Sequence, residues 1–442
     1  MEHILGKKFN FISLMRFAAP SMLMMLVTSL YTIVDSIFVS RFVGTNALSA
    51  INIVYPVLNI VMAFGIMLAS GGSAIIAREL GSDKPQSARE HLTLIVITGI
   101  LIGAIVAILG LCFLHPLLRM LGATDILYKY CADYLIILLI FAPFNMLQLM
   151  FQSFFVTAGK PTLGMLLSLA AGLVNVLFDY IFIVVLHWGV AGAAAGTVLG
   201  YMIPSIIGIA VFCKKGNGLH FGKLHFDFRA LLEACSNGSS EMVTNLAMGL
   251  TTFIFNMAML RLAGEDGVAA VTIVLYAQFV IGALLIGFSM GVAPIISYNH
   301  GSQNNKQLKS VFRYCTVFIA IASVISFFAA LYLSPLIIGV FTPEGSNVYK
   351  LAIHGFPIFS ISFLFAGFNI FASSLFTALS NGKISAIISF LRTFLFTAAF
   401  LIMLPILFGI DGVWFATSLA EAAALIVSII ITVRQRKIYH YL

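Results

Sequence analysis

Apolar runs of about 20 residues or more follow one another along the whole 442-residue chain, and each is long enough to cross a bilayer core of about 30 Å as a helix. Twelve spans are expected, at 14–40, 50–77, 92–114, 130–157, 162–186, 190–213, 233–261, 268–297, 311–334, 349–378, 384–408 and 412–433. Lipid offers no partner for free backbone N–H and C=O groups, so such runs must be helical. With 61% of residues hydrophobic and only 9% charged, little chain is left for a water-soluble body. The fold class is therefore an all-α membrane protein, and a soluble enzyme is excluded. Lys7, Lys8 and Arg16 precede a first run that is longer than a signal-peptide core and shows no small-residue cleavage site, so span 1 is expected to remain as an anchor.

The net charge of +8 does not form the continuous stripe that nucleic acid needs. It sits in short gaps between spans. One set of gaps holds Lys7, Lys8, Arg16, Arg78, Lys84, Arg89, Lys160, Lys214, Lys215, Lys223, Arg229, Lys306, Lys309, Arg313, Lys383, Arg434, Arg436 and Lys437; the other holds only Arg41, Arg119, Lys129, Arg261 and Lys350. That asymmetry predicts that the first set, with both termini, is cytoplasmic, in a multi-pass protein of the cell inner (plasma) membrane. The five cysteines include no C-x-x-C pair and read as packing residues, with no metal site or disulfide frame.

The two halves repeat. RFVGTNALSAINIV at 41–54 aligns with RLAGEDGVAAVTIV at 261–274, and IIARELGS at 75–82 with IISYNHGS at 295–302, both shifted by 220. Gly159-Lys160 matches Gly382-Lys383 and Gly189-Val190 matches Gly412-Val413 at a shift of 223. Six spans separate the copies, so both enter the membrane from one side as a parallel repeat. The expected organisation is two pseudo-symmetric six-helix bundles: an N-terminal lobe at 1–213, a linker at 214–232 and a C-terminal lobe at 233–442. Transporters built this way place substrate between the lobes and rock them for alternating access.

A carboxylate in hydrocarbon is costly unless it meets protein, water or a cation, which makes each intramembrane acid a functional candidate. Asp35 lies deep in span 1 and Asp179 deep in span 5. Tyr31 and Asp35 are four residues apart, as are Asn175 and Asp179, so each pair shares a helix face. Such oxygen-rich sites suit a proton or a hard cation such as Na⁺, which Asp35, Asp179 and Asn175 would hold. The alternative use of these groups is helix-to-helix hydrogen bonding. Glu241 and Arg392 are open to either a functional or a structural reading, Arg392 with Glu421 as a candidate partner. Asp133, Glu233 and Glu421 are expected to be solvated near span ends, and His354 to be a hydrogen-bonded core residue. Tyr55, Asn59, Gln148, Gln152, Asn256, Tyr276, Gln278 and Asn369 are candidates for a substrate cavity that combines aromatic faces with polar acceptors, suited to amphiphilic cations.

With Pro20 in span 1, VDSIFVSRFVG at 34–44, RELGSDKPQSA after span 2, the N-x-x-x-D of Asn175 and Asp179, GVAGAAAGT at 189–197 and APIISYNHGS at 293–302, the chain resembles the multidrug and toxic compound extrusion (MATE) family of cation-coupled exporters. Within it the chain looks like the DNA-damage-inducible-protein and multidrug-exporter branch. That resemblance implies Asp35 and Asp179 as cation-coupling acids, with Asn175, Tyr31 and Thr197 around them. It also implies that H⁺ or Na⁺ binding there rearranges the N-terminal lobe and releases an organic cation or drug outward. Other branches use acids in spans 7 and 10, where this chain has Met248 and no acid. No further cofactor, no nucleic acid and a monomer are expected.

A flippase for a lipid-linked precursor of the same superfamily is the alternative, but anionic cargo calls for several basic cavity residues and only Arg392 is well inside a span. An intramembrane enzyme lacks its nucleophile and base, and an ATP-driven pump lacks G-x-x-x-x-G-K-[ST].

Overall fold

The computed structural model describes residues 4–216 and 218–442; residues 1–3, and residue 217 of the expected linker, lie outside the described residues. Among the described residues every regular element is helical. Span 1 is Phe11–Phe38, continued by a π-helical turn at Val39–Val43. Spans 2 and 3 are Thr45–Gly81 and Pro85–Cys112, and span 6 is Gly189–Cys213. Span 5, Pro161–Asp179, runs on through a π-helical turn at Tyr180–Val185. In the second half, span 9 is Asn305–Phe341 and span 12 is Ile410–Tyr439. Span 11 has three parts, Gly382–Phe390, a π-helical turn at Leu391–Phe396, and Thr397–Phe408.

Two spans expected to be continuous are broken. Span 4 divides into Asp125–Ile140 and Ala142–Thr157, bent by 57°, and span 10 into Asn347–Ser360 and Phe363–Ala378, bent by 52°. Pro143 accounts for the first break, because proline at the second position of a helix cannot donate to the turn before it. Spans 7 and 8 form one 74-residue run, Phe228–Gly301. Straight, that run would reach roughly 110 Å, several bilayer cores. Gly264, at φ 65° and ψ −153°, divides it, and the chain thus makes twelve crossings in two lobes. Span 7 begins at Phe228, before the expected 233, and Asp227 caps it by accepting from the amides of Ala230 and Arg229, which hold its carboxyl below the usual carboxylate range.

Backbone conformation refines the repeat. Left-handed residues recur at Gly44 and Gly264, at Asp83 and Gln303, and at Gly189 and Gly409, while Gly159 answers to Ser380. Gly122 and Gly345 stand 223 apart, so the register varies between 220 and 223 along the repeat.

The lobes meet at the end where the basic loops gather, here called the basic end. There the apolar cores are shared: Leu14, Ala18 and Ala77 pack with Phe288, Val292 and Ile295, and Ala234 packs with Leu68 and Ile75. At the far end each lobe keeps its own core, around Val54 and Leu135 in one and around Phe255 and Phe356 in the other. Glycines make the shared seal. A Cβ on Gly71 would collide with the backbone of Ala234 and one on Gly238 with Met67; likewise Gly81 abuts Tyr298, Gly301 abuts Arg78, and Gly291 abuts Ala18. A paired contact from Arg78 Nη1 and Nη2 to the two carboxylate oxygens of Glu233 crosses the same seal, so Glu233 is not simply solvated. Pro20 lies in span 1 between Ala18 and Met22, the two residues that meet Gly291 and Gly287 of span 8.

Gly238→Ala should therefore strain the seal by about 1–3 kcal/mol, read as a lower thermal-unfolding midpoint in detergent. Gly249→Ala on the same span, where an added Cβ meets nothing within 4 Å, should be neutral or stabilising by up to about 1 kcal/mol. Equal losses in both variants would remove the seal from the explanation.

Candidate functional site

Span 6 carries glycine at 192, 196 and 200, and this small-residue stripe lets span 5 approach at backbone distance. Gly192 receives Phe182, Gly196 receives the carboxyl of Asp179, and Gly200 lies against Ala171 and Asn175. Span 1 joins them through Tyr31, whose ring rests on Gly172 of span 5. The folded chain thus brings together all five residues expected at a cation site: Tyr31 and Asp35 from span 1, Asn175 and Asp179 from span 5, and Thr197 from span 6.

Asp179 is fully buried and Asn175 nearly so. The carboxyls of Asp35 and Asp179 lie within hydrogen-bonding reach of each other, a contact that needs a proton on one of them. Asn175 Nδ2 reaches Thr197 Oγ1 at 3.5 Å, and Thr197 Oγ1 itself donates to the Ala193 carbonyl at 3.0 Å. Asp35 Oδ1, Asn175 Oδ1 and both carboxyl oxygens of Asp179 are buried with no hydrogen-bond partner. Next to them is a cavity of about 10 Å³ lined by Tyr31, Ala171, Asn175, Thr197, Gly200 and Tyr201, close to the smallest space that holds a water-sized particle. Acceptors without donors around so small a space fit a proton or a bare cation better than any organic group.

Two further tyrosines belong to this neighbourhood. Tyr201 lines the cavity, and Tyr134 of span 4 is buried within electrostatic range of both acids. Tyr201 was legible, since it stands four residues after Thr197 on one helix face. Tyr134 had no such signal, because its span alone does not reveal its partners.

The expected substrate residues separate into two groups. Gln148 is buried beside Tyr31, and Gln152 Nε2 donates to Ser168 Oγ at 3.3 Å, so both are N-lobe interior groups rather than cavity walls. Asn369 is likewise interior: its Nδ2 donates to Glu421 Oε2 at 2.7 Å and it accepts from Ser428. A polar residue on an apolar helix signals a buried partner as readily as a wet cleft, and in this structure these three side chains meet protein. Tyr55 and Tyr276 are half-exposed on spans 2 and 8 and near each other across the lobes. Asn59 and Gln278 are partly exposed. Asn256 lines a larger cavity of about 440 Å³ at the far ends of spans 7 and 8, with Phe253, Met257, Leu260 and Glu265.

Arg392 Nε donates to both oxygens of Glu421, at 2.8 and 3.0 Å. Glu421, expected near solvent, is in fact 5% exposed because its helix turns that face into the lobe. His354, expected in a core, is exposed and pairs with Asp411 at 2.7 Å.

The MatE family model matches the chain twice, over residues 20–181 and 242–403. The chain belongs to the multidrug and toxic compound extrusion (MATE) family. It is a multi-pass membrane transporter and not an enzyme. Among curated proteins it is similar to the multidrug export protein MepA of Staphylococcus haemolyticus, 26% identical over 96% of this chain and 94% of that protein, and to that of Staphylococcus aureus, 25% identical over 95% and 93%. Among solved structures it resembles a MATE protein in complex with MaL6, with a TM-score of 0.93 at 21% identity over 98% of each chain. It also resembles the outward-facing conformation of a multidrug resistance MATE family transporter, with a TM-score of 0.92 at 21% identity over 98% of each.

In this MATE transporter, Gly196→Ala should displace the Asp179 carboxyl and cut transport as severely as Asp179→Asn, by about tenfold or more, the scale of losing a buried polar contact. Gly200→Ala, where a Cβ stays 3.2 Å from the Ala171 oxygen, should act more mildly. Initial transport rates in proteoliposomes distinguish the two, and equal rates would show that the stripe does not position Asp179.

Proposed function

We propose that the chain is a multidrug exporter that exchanges H⁺ or Na⁺ for organic, amphiphilic cations by alternating access of its two lobes. In this reading it acts as a monomer in the plasma membrane with the basic end cytoplasmic, and the lobe limits are those of the sequence repeat. The observation that carries the reading is the set of buried, unpartnered oxygens on Asp35, Asn175 and Asp179, in a chain similar along its length to multidrug export proteins.

The seal at the basic end and the separate cores at the far end part the lobes at the far end, which is the outward side in this reading. An ion entering from that side supplies what the orphaned oxygens lack: a proton neutralises the acid pair, and Na⁺ takes carboxylate and amide oxygens as ligands. Either draws span 1 toward spans 5 and 6. Span 1 also forms part of the seal through Ala18 and Met22, so ion occupancy and lobe arrangement share one helix. Exchange follows if the ion favours the arrangement that holds cargo least well. A flippase for anionic lipid-linked cargo is poorly served, because Arg392 is already paired with Glu421.

The test is export of a fluorescent organic cation from proteoliposomes under an H⁺ or a Na⁺ gradient imposed separately. Wild type should respond to one gradient, and Asp35→Asn and Asp179→Asn should each lose about tenfold or more of the rate. Wild-type rates in both variants would reduce the acids to structural hydrogen-bonding groups.

A further inference from the structure

Span 7 presents one ridge to the opposite lobe, formed by Ala234, Gly238, Glu241 and Asn245 at successive turns. At Gly238 the ridge is closed against the backbone of Met67; at Gly249, one turn beyond Asn245, a Cβ would meet nothing within 4 Å. Glu241 thus stands where the lobes begin to part, at the floor of the cleft. Its backbone carbonyl accepts from Asn245 Nδ2 at 3.0 Å, but its carboxylate has no hydrogen-bond or ion-pair partner among the described residues. Among the described residues the cation that acts on it is Arg392, which sits in the π-helical turn of span 11 and is paired with Glu421. Arg392 thus faces two acids and is bonded to one of them, which leaves the Glu241 carboxyl without a bonded cation.

We propose that Glu241 receives the positively charged head group of the organic cation, on the C-terminal wall of the cleft and apart from the ion site at Asp35 and Asp179. The inference rests on the exporter reading and adds to it a separate cargo acid. Na⁺ is poorly suited to this place, since a hard cation takes about six oxygen ligands and the ridge offers one carboxylate and one amide. An organic ammonium or phosphonium needs only one acceptor and an apolar bed. Above Glu241 the same ridge continues with half-exposed Met248, exposed Thr252, and Asn256 at the 440 Å³ cavity. Methionine suits varied apolar shapes because its side chain is flexible and polarisable. Cargo and coupling ion then occupy different lobes, so they influence each other through lobe arrangement and not by competing for one carboxylate.

Equilibrium binding of ethidium, a cation, and Nile red, a neutral dye, to the purified full-length transporter in detergent tests this without any gradient. Glu241→Gln should weaken ethidium by about tenfold or more while leaving Nile red within about twofold, and Glu241→Asp should recover most of the ethidium affinity. Unchanged ethidium binding in Glu241→Gln, an equal loss of both dyes, or wild type that binds no ethidium would each overturn the proposal. A wild type that binds ethidium through Glu241 yet shows no gradient-driven export would overturn the exporter reading alone.

Discussion

A buried oxygen without a donor costs about 1–3 kcal/mol, and the N-terminal lobe concentrates four of them at one point, on Asp35, Asn175 and Asp179. Hydrocarbon cannot relieve that cost, and among the described residues none of these four oxygens receives a hydrogen bond unless a proton joins the two acids. The glycine stripe of span 6 makes the arrangement possible by admitting Asp179 against helix backbone, where a larger residue would have pushed it toward solvent. The unsatisfied state of the site is its chemical capacity: whatever fills it must be small and bring positive charge.

The C-terminal lobe shares the architecture and not the chemistry. Its interior charges close on themselves through Arg392, Glu421, Asn369 and Ser428, a chain of bonds in which each buried acceptor has a donor. A satisfied network of that kind is rigid. One half of a duplicated fold has thus kept unsatisfied acceptors at a point where the other has a closed network.

Much of this was legible before folding. Span count and duplication follow from long apolar runs and from repeated loop glycines, because lipid enforces helices and short loops punctuate them. The i, i+4 pairs on spans 1 and 5 marked residues that do cluster in the folded chain, since spacing fixes which residues share a face. Spacing says nothing about which neighbour that face meets. Gln148, Gln152 and Asn369 look like cavity residues on their own helices and show themselves as interior partners only once the neighbouring spans 1, 5 and 12 are in view. Hydropathy ran unbroken through the bend in span 10, where no proline occupies Ile361 or Ser362 to give warning. The seal was hidden for a similar reason: glycine in a span reads as flexibility until the opposing backbone is in view.

That seal is backbone against backbone, at Gly71, Gly81, Gly238 and Gly301. Its closest approaches rest on glycines, with the Arg78–Glu233 pair and shared apolar packing beside them. Closure and recognition are therefore written in different parts of the sequence. On the proposed reading, a lineage that keeps a few glycines is free to exchange Met248, Thr252, Tyr55 or Tyr276 and so to change what it carries, without having to reinvent how it shuts.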